Sequence, residues 1–333
     1  MEAISVLITG GTGSFGNAAV EYLLPSNDIK KIIIFSRDEF KQNQMHRKFG
    51  NFPGGKMRFF IGDVRDSVRL SQAMKDVDLV IHAAAMKQVP TCEYNPLEAV
   101  KTNILGSQNV ISAAIARKVP KVILLSSDKA VSPINLYGKT KAVAESLFID
   151  ANGWGDKKTI FSVVRYGNIL ASRGSVIDEF RRQVEKGDTL FITDKRMTRF
   201  WWILYDAIEF AMCASWAMTG GEIYVPPIQA ASLKTLAGHF CSYCRVREEG
   251  IRPGEKLHEI LIAPDEIRRT TNDSWAYVIY PENEFFEHSS CGVGSKVEDD
   301  FSYCSNDEKR QMTSEQLEVL FERTGIDVKG GRE

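Results

Sequence analysis

The 333-residue chain sets 42 Lys and Arg against 43 Asp and Glu, and 44% of it is apolar. A net charge of −1 gives no field for nucleic acid or an anionic membrane, so an anionic ligand has to be met by local basic residues. No run approaches the roughly 18 apolar residues of a membrane span and no leader precedes the first strand, so a soluble cytoplasmic protein of one large or two modest domains is expected.

Residues 5–9 (SVLIT) read as a short apolar strand. GGTGSFG (10–16) follows at once, then a helix with Ala18, Ala19, Tyr22, Leu23 and Leu24 at helical spacing. Gly11-x-Gly13-x-x-Gly16 satisfies the dinucleotide fingerprint, and Gly10-x-x-Gly13-x-x-Gly16 overlaps it. In strand–turn–helix context, Gly10, Thr12, Gly13, Ser14, Phe15 and Gly16 are expected to cradle a pyrophosphate at a helix N-terminus.

The second strand (31–35) ends at Ser36, with Arg37, Asp38 and Lys41 just beyond. An NAD site usually carries an acid at that tip, for the ribose 2′-hydroxyl. A hydroxyl with two cations suits a 2′-phosphate instead, so NADP is expected; Asp38 leaves NAD open, and a basic helix start on the surface is the plain alternative. The third strand (57–61) leads to Asp63 and Val64, where an adenine edge would lie. The fourth (77–82) ends in Ala83-Ala84-Ala85, small enough for a dinucleotide to lie against, and His82 is expected to pack. A helix over about 96–118 carries Asn103, another expected cofactor contact, and turns Val100, Ile104, Val110 and Ile111 inward. Alternating strands and helices predict an α/β fold, a Rossmann-type doubly wound parallel sheet.

The next strand (122–125) opens SSDKAVSPINLYGKTK (126–141). Tyr137 and Lys141 are four apart, one turn of one helix face. A lysine ammonium beside a phenol favours the phenolate, and such a phenol can deprotonate a sugar hydroxyl while a nicotinamide accepts hydride. Asp128 and Lys129 follow the strand's C-terminal end, where open α/β sheets bind ligands. YxxxK alone is a common chance spacing; with the upstream glycine loop it becomes a candidate active site.

After a strand over 160–165, ASRGSV (171–176) and ITDKRMTRFWW (192–202) bring Arg173, Lys195, Arg196 and Arg199 together, as a diphosphate grip or a solvated surface. Phe200-Trp201-Trp202 is read as core or as a stacking platform for a base. IRPGEKLHE (251–259) is a charged Pro-Gly turn suited to a ligand loop. The chain divides into 1–167, an NADP-binding domain with a later contribution near 200–225, and 168–333, mainly a smaller C-terminal α/β substrate region; 282–299 is expected to be loosely ordered. Six cysteines fit reduced thiols, and Cys241-Ser-Tyr-Cys244 is expected to hold unpaired helix thiols without metal.

LITGGTGSFG, SRDEFKQ, VIHAAAMKQVP, SSDKAVSPINLYGKTK, ITDKRMTRFW and GIRPGEKLHEILI, among other blocks spanning 5 to about 265, resemble the configuration-inverting UDP-N-acetylglucosamine 4,6-dehydratases of pseudaminic acid biosynthesis, which are extended short-chain dehydrogenase/reductases. The resemblance implies a UDP-sugar substrate and a homo-oligomer, in some members a hexamer. It implies that Tyr137, aided by Lys141, takes the O4 proton as C4 hydride leaves for NADP. Lys129 then removes the C5 proton, Asp128 protonates the departing 6-hydroxyl, and reprotonation on the opposite face inverts C5. Ser127 would orient the sugar, where the family often has threonine. Lys87, Asn168, Arg173, Met197, Arg199, Arg252 and Glu255 are the implied nucleotide-sugar contacts. Gln88 and Ala171 depart from the family's usual histidine and glycine. A retaining dehydratase, a 4-epimerase, or a non-catalytic NADP-binding sensor are the rival readings; Asp128-Lys129 argues against the last two.

Overall fold

A computed structural model describes residues 2–50, 52, 54–155, 158–170, 172, 174–282 and 294–326. The first half alternates β1 (Ile4–Thr9), α1 (Ser14–Leu23), β2 (Ile29–Ser36), α2 (Glu39–Phe49), β3 (Met57–Ile61), α3 (Ser67–Ala73) and β4 (Leu79–His82). It continues through α4 (Val89–Tyr94), α5 (Pro96–Ala99), α6 (Gly106–Arg117), β5 (Lys121–Ser127), α7 (Leu136–Asp150) and β6 (Ile160–Tyr166). Shorter elements follow: β7 (Asn168–Ile169), α8 (Val176–Lys186), β8 (Thr189–Ile192), β9 (Thr198–Trp202), α9 (Leu204–Ala217), β10 (Ile223–Val225), β11 (Ala230–Ser232) and α10 (Leu233–Phe240). The last are β12 (Arg245–Glu248), β13 (Ile260–Ile262), β14 (Thr270–Asn272), β15 (Tyr277–Ile279), β16 (Ser295–Lys296), β17 (Tyr303–Cys304) and α11 (Ser314–Arg323).

The large sheet has the order β16-β14-β15-β10-β6-β5-β4-β1-β2-β3. From β3 across to β10 every pairing is parallel, which is the expected doubly wound arrangement. The apolar runs follow from this, because both faces are covered. Leu7, Ile33, Val80 and Leu124 face a core with Val110, Ala114 and Phe148, while Val6, Ile8, Ile32 and Ile81 face another with Val20, Leu23 and Ile208. The order reverses at β1, so the crevice beyond the strand ends opens between the β1 loop and β4.

The chain does not stay in the smaller lobe after β6. β10 returns beside β6, and β15, β14 and β16 extend the sheet antiparallel. The smaller lobe is built from β7, β9 and β11, the β8–β12 pair, α8, α10 and α11 around Leu170, Phe180, Trp201, Phe240 and Phe321. Of the stretch expected to be loose, 283–293 lies outside the described residues and β16 is paired with β14.

Two expectations change. The helix over 96–118 is broken by a π-helical turn, Val100–Leu105. That wider turn rotates the inward face, burying Thr102 and Asn103 and leaving Val100 and Ile104 half-buried. Cys241 and Cys244 are not helix thiols: α10 ends at Phe240, and the turn after it brings their Cα atoms to 5.4 Å in a disulfide. Cys92, Cys213 and Cys304 are free, and Cys291 lies outside the described residues.

Arg165, on β6, is 3% exposed and forms a buried ion triad. It donates to Glu145 on α7 at 2.7 Å, to Glu266 at 2.8 Å and to the Leu261 carbonyl at 3.0 Å. Removing the cation leaves two buried carboxylates facing each other without it. Arg165→Met should therefore lower unfolding free energy by about 3–5 kcal/mol, read by urea denaturation; a loss under about 1 kcal/mol would contradict this account.

Candidate active site

The glycine loop fits a dinucleotide on structural grounds. Gly10 has φ +64°, and a Cβ there would sit 2.8 Å from the Ala84 Cα, so the loop lies flat against the β4 end. Gly13 is the N-cap of α1, which has no side-chain cap and no acid in its first turn, and this leaves its N-terminal dipole for a phosphate. Gly10, Gly13, Ser14, Phe15, Ala83 and Ala84 line one wall of a cavity of about 660 Å³.

Of the other expected cofactor residues, Tyr137 and Lys141 line the opposite wall and the rest lie off the cavity. Thr12 and Gly16 are buried within the loop and first turn. Ser36 is buried and accepts a hydrogen bond from Gln42 at 3.1 Å. Asp38 caps α2 through the Lys41 N–H at 2.9 Å and pairs with the Lys41 ammonium, so its carboxylate is already engaged. Arg37 is mostly exposed and lies 3.6 Å from Asp63, which Arg65 also grips. The Val64 carbonyl accepts from Asn109. Asn103 does not line the cavity; it accepts from the Met86 N–H at 2.8 Å and donates to the Met86 carbonyl and Thr140 at 2.9 Å each. It thereby pins the post-β4 loop to α7, a role its sequence position did not reveal. His82 is packed, between Thr9 at 2.7 Å and Ser107 at 3.1 Å. Ser107 gives its proton to the Asn103 carbonyl, so His82 donates from Nε2, and burial drives its pKa down to about 3.

The opposite wall carries Ser127, Asp128, Lys129, Tyr137 and Lys141. Asn135 caps α7 by accepting from the Gly138 N–H at 2.8 Å. A Cβ on Gly138 would fall 2.1 Å from the Lys129 carbonyl, so glycine alone lets α7 press Tyr137 against the Asp128-Lys129 turn. Ser127 caps that turn, accepting from the Lys129 N–H at 3.0 Å. The Lys129 ammonium donates to Asp128 at 3.0 Å and to Asn168 at 3.3 Å.

The titration of this group departs from the sequence expectation. Burial raises the Tyr137 phenol, and what offsets it is the hydrogen bond with Ser127 and the Lys129 charge, not Lys141. Lys141 turns instead to the Leu125 carbonyl at 2.7 Å, and burial lowers its pKa to about 8. Burial raises Asp128, with Glu259 adding to the rise against the pull of Lys129. Burial works to lower Lys129, but Asp128 and Glu259 outweigh it and hold the ammonium above its ordinary value.

Lys87, Asn168, Arg199, Arg252 and Glu255 all line the cavity. Lys87 is lowered chiefly by burial, against Asp178. Arg199 spends its donors on the Thr198, Leu257 and Lys256 carbonyls, so it shapes the wall more than it reaches a ligand. Arg173 lies outside the described residues. Met197 is a correction: it is 1% exposed, packed in the smaller lobe's core against Ile192 and Trp201, and off the cavity. Lys195 and Arg196 pair with Glu248 and Asp194 on the surface, off the cavity. Of the aromatic run, Phe200 and Trp202 pack in the large cores and only Trp201 reaches the cavity. Sequence reasoning missed Lys256 and Glu259; their charge-dense loop was the signal.

The family described as polysaccharide biosynthesis protein matches residues 6–281. A curated relative from Campylobacter jejuni subsp. jejuni serotype O:23/36 (strain 81-176), named UDP-N-acetylglucosamine 4,6-dehydratase (inverting), is 48% identical over 96% of this chain and 98% of its own. A relative from Rickettsia bellii (strain OSU 85-389), named UDP-glucose 4-epimerase, is 44% identical over 95% of each chain. The X-ray structure of Pen from Bacillus thuringiensis superposes with a TM-score of 0.88, 35% identity and 98% coverage of both chains.

The buried Lys141 gives a pH test with a definite sign. Its folded pKa of about 8 lies below the ordinary 10.5, so between those values the unfolded chain binds more protons and stability rises with pH. Urea unfolding should show wild type gaining about 2–3 kcal/mol on Lys141→Met between pH 7.5 and 10. A constant difference across that range would refute the buried, depressed lysine.

Proposed function

The chain belongs to the polysaccharide biosynthesis protein family, and from that premise and the site we infer a UDP-N-acetylglucosamine 4,6-dehydratase that inverts C5. The observation that carries the reading is the Asp128-Lys129 turn packed through Gly138 against Tyr137, two proton-handling pairs on one cavity wall. An epimerase needs only the Tyr137 side of that arrangement, which is why the Rickettsia name is the second reading.

A nicotinamide dinucleotide bound along Gly10–Phe15 and Ala83–Ala84 would accept hydride from C4 and return it at C6. Tyr137 takes the O4 proton as its phenolate, the form that the Ser127 hydrogen bond and the Lys129 charge favour against burial; oxidation at C4 then acidifies the neighbouring C5–H. In the resting pair Lys129 is the ammonium. Passing one proton over the 3.0 Å to Asp128 yields a neutral amine and a carboxylic acid together. Burial works toward that neutral pair, against the Asp128 and Glu259 charges that hold the ammonium at rest. The Lys129 amine then takes the C5 proton, Asp128 gives its proton to O6, and water leaves. The pair ends as ammonium and carboxylate, ready for another cycle. A proton from water, reaching C5 from the face opposite Lys129, gives inversion, and Tyr137 resets by releasing the O4 proton to water.

NADP is the cofactor we propose: Arg37 and Lys41 flank the β2 tip, and Asp38 is taken up by its cap and by Lys41. Calorimetry should give a lower Kd for NADP+ than for NAD+; the reverse order would assign NAD. We also place the product in pseudaminic acid biosynthesis and the enzyme in the cytoplasm as a homo-oligomer. Exposed Tyr94, Leu97 and Val143 on neighbouring α4, α5 and α7 support the last point.

Incubation with UDP-GlcNAc in deuterium oxide, followed by NMR, tests the reaction. A 4-keto, 6-deoxy sugar with deuterium at an inverted C5 is expected; retention at C5, or a C4 epimer, would replace this reading. Lys129→Ala should form C4-oxidised sugar, at most about one equivalent per site, without losing water or taking up deuterium at C5. Normal C5 exchange in that variant would remove Lys129 from its role.

A further inference from the structure

Beside the Asp128-Lys129 pair lies a second buried carboxylate that the reaction above does not use. Glu259 is 2% exposed and follows the charged 251–258 loop, immediately before β13. Its backbone is clasped by Ser305, whose Oγ accepts from the Glu259 N–H at 2.9 Å and whose N–H donates to the Glu259 carbonyl at 2.8 Å. The side chain is thereby fixed toward the cavity. Oε1 lies 3.5 Å from the Lys129 ammonium and 3.6 Å from Arg199 Nε, and Oε2 lies 3.7 Å from the Lys256 ammonium. Oε2 of Glu259 and Oδ2 of Asp128 are both buried with no hydrogen-bond partner. Buried lone pairs left open in this way are costly, and they mark a site arranged for something other than stability.

We propose that Glu259 is a positioning residue for the elimination: its buried carboxylate holds Lys129 against Asp128 and Asn168 and sets how many protons the Asp128–Lys129 pair carries at the working pH. The proposal rests on the dehydratase reading. The charged groups facing Glu259 are Lys129 and Asp128 from the turn after β5, Arg199 from β9 and Lys256 from its own loop, with His258 adjacent in the chain. Arg199 and Lys256 hold it against the wall, and the Arg199 charge, which works to lower Lys129, is outweighed by those of Asp128 and Glu259. Lys129 is the one of its three cationic neighbours that must also shed a proton for chemistry. A fixed negative charge at 3.5 Å keeps a proton on the pair that bulk water would otherwise take, so the pair retains the single shared proton that makes one member the acid and the other the base. The same charge opposes ionisation of Asp128, which has to arrive at O6 protonated. Loss of the Glu259 charge therefore moves both proton-loss steps of the pair to lower pH.

Glu259→Gln, which keeps the shape and removes the charge, is the test. With purified protein and UDP-GlcNAc, kcat at pH 7.5 should fall about 10- to 100-fold with KM changed less than about threefold. The pH optimum should move down by about one unit. In deuterium oxide, formation of C4-oxidised sugar should keep its wild-type rate while deuterium uptake at C5 slows. A coincident pH profile, or equal slowing of both steps, assigns Glu259 a merely structural role and overturns the proposal. Glu259→Asp should restore the wild-type optimum with kcat still reduced; it carries the test if the Gln variant does not fold, and an Asp variant with a displaced optimum also overturns it. Wild type is assayed first, because absence of a 4-keto product there defeats the dehydratase reading and not the assignment of Glu259.

Discussion

Arg165 is the point through which the elements of the candidate site are held in common. It leaves β6 and grips Glu145, one helical turn beyond Lys141 on α7, and on its other side the Leu261 carbonyl and Glu266, just after Glu259. Helix α7 therefore cannot shift along its axis without disturbing the segment that carries Glu259. Burial by itself would raise Glu266, but the Arg165 charge prevails and holds that carboxyl below its ordinary range. Such a triad is no net gain over well-packed apolar residues. What it supplies is register between α7 and the 259–266 segment that follows the charged loop.

The site as a whole puts function ahead of comfort. Lys141 is buried with its ammonium on a carbonyl, Asp128 keeps an open acceptor, and Tyr137 is a buried phenol raised by that burial. These are groups whose neutral forms are favoured by their surroundings, each with a proton to give or take. The surface pairs at the β2 tip, Arg37 with Asp63 and Lys41 with Asp38, are solvated and contribute little to stability.

What could be read in the sequence was local. The glycine loop between strand and helix, the Tyr137–Lys141 spacing and the Asp128-Lys129 turn each fit within about one turn or one loop, and there spacing alone determines geometry. The charge-dense loop at 251–259 was recognisable as a ligand loop, but Glu259 reaches Lys129 across 130 positions, and no periodicity reports such a contact. A regular helix over 96–118 hides where Asn103 points: a single π turn aims it at Met86 and Thr140. Met197 was assigned by motif, and packing claimed it. β14, β15 and β16 are two or three residues long, too short for an alternating pattern to register. The titration of Tyr137 was misjudged for a related reason: adjacency to a lysine is visible in a sequence, whereas depth of burial is not.

The route of β10 carries an evolutionary implication. The parallel neighbour of β6 arrives only after the chain has built much of the smaller lobe, and it is locked in by the Val163 N–H on the Glu222 carbonyl and the Gly221 N–H on the Phe161 carbonyl. A half-molecule ending near residue 167 would leave β6 as a bare, apolar rim inviting edge-to-edge association. The smaller lobe is thus threaded through the sheet and is no detachable cassette. New specificities in such a scaffold are accessible by remodelling the loops between fixed strands, and recombination of whole halves is closed off.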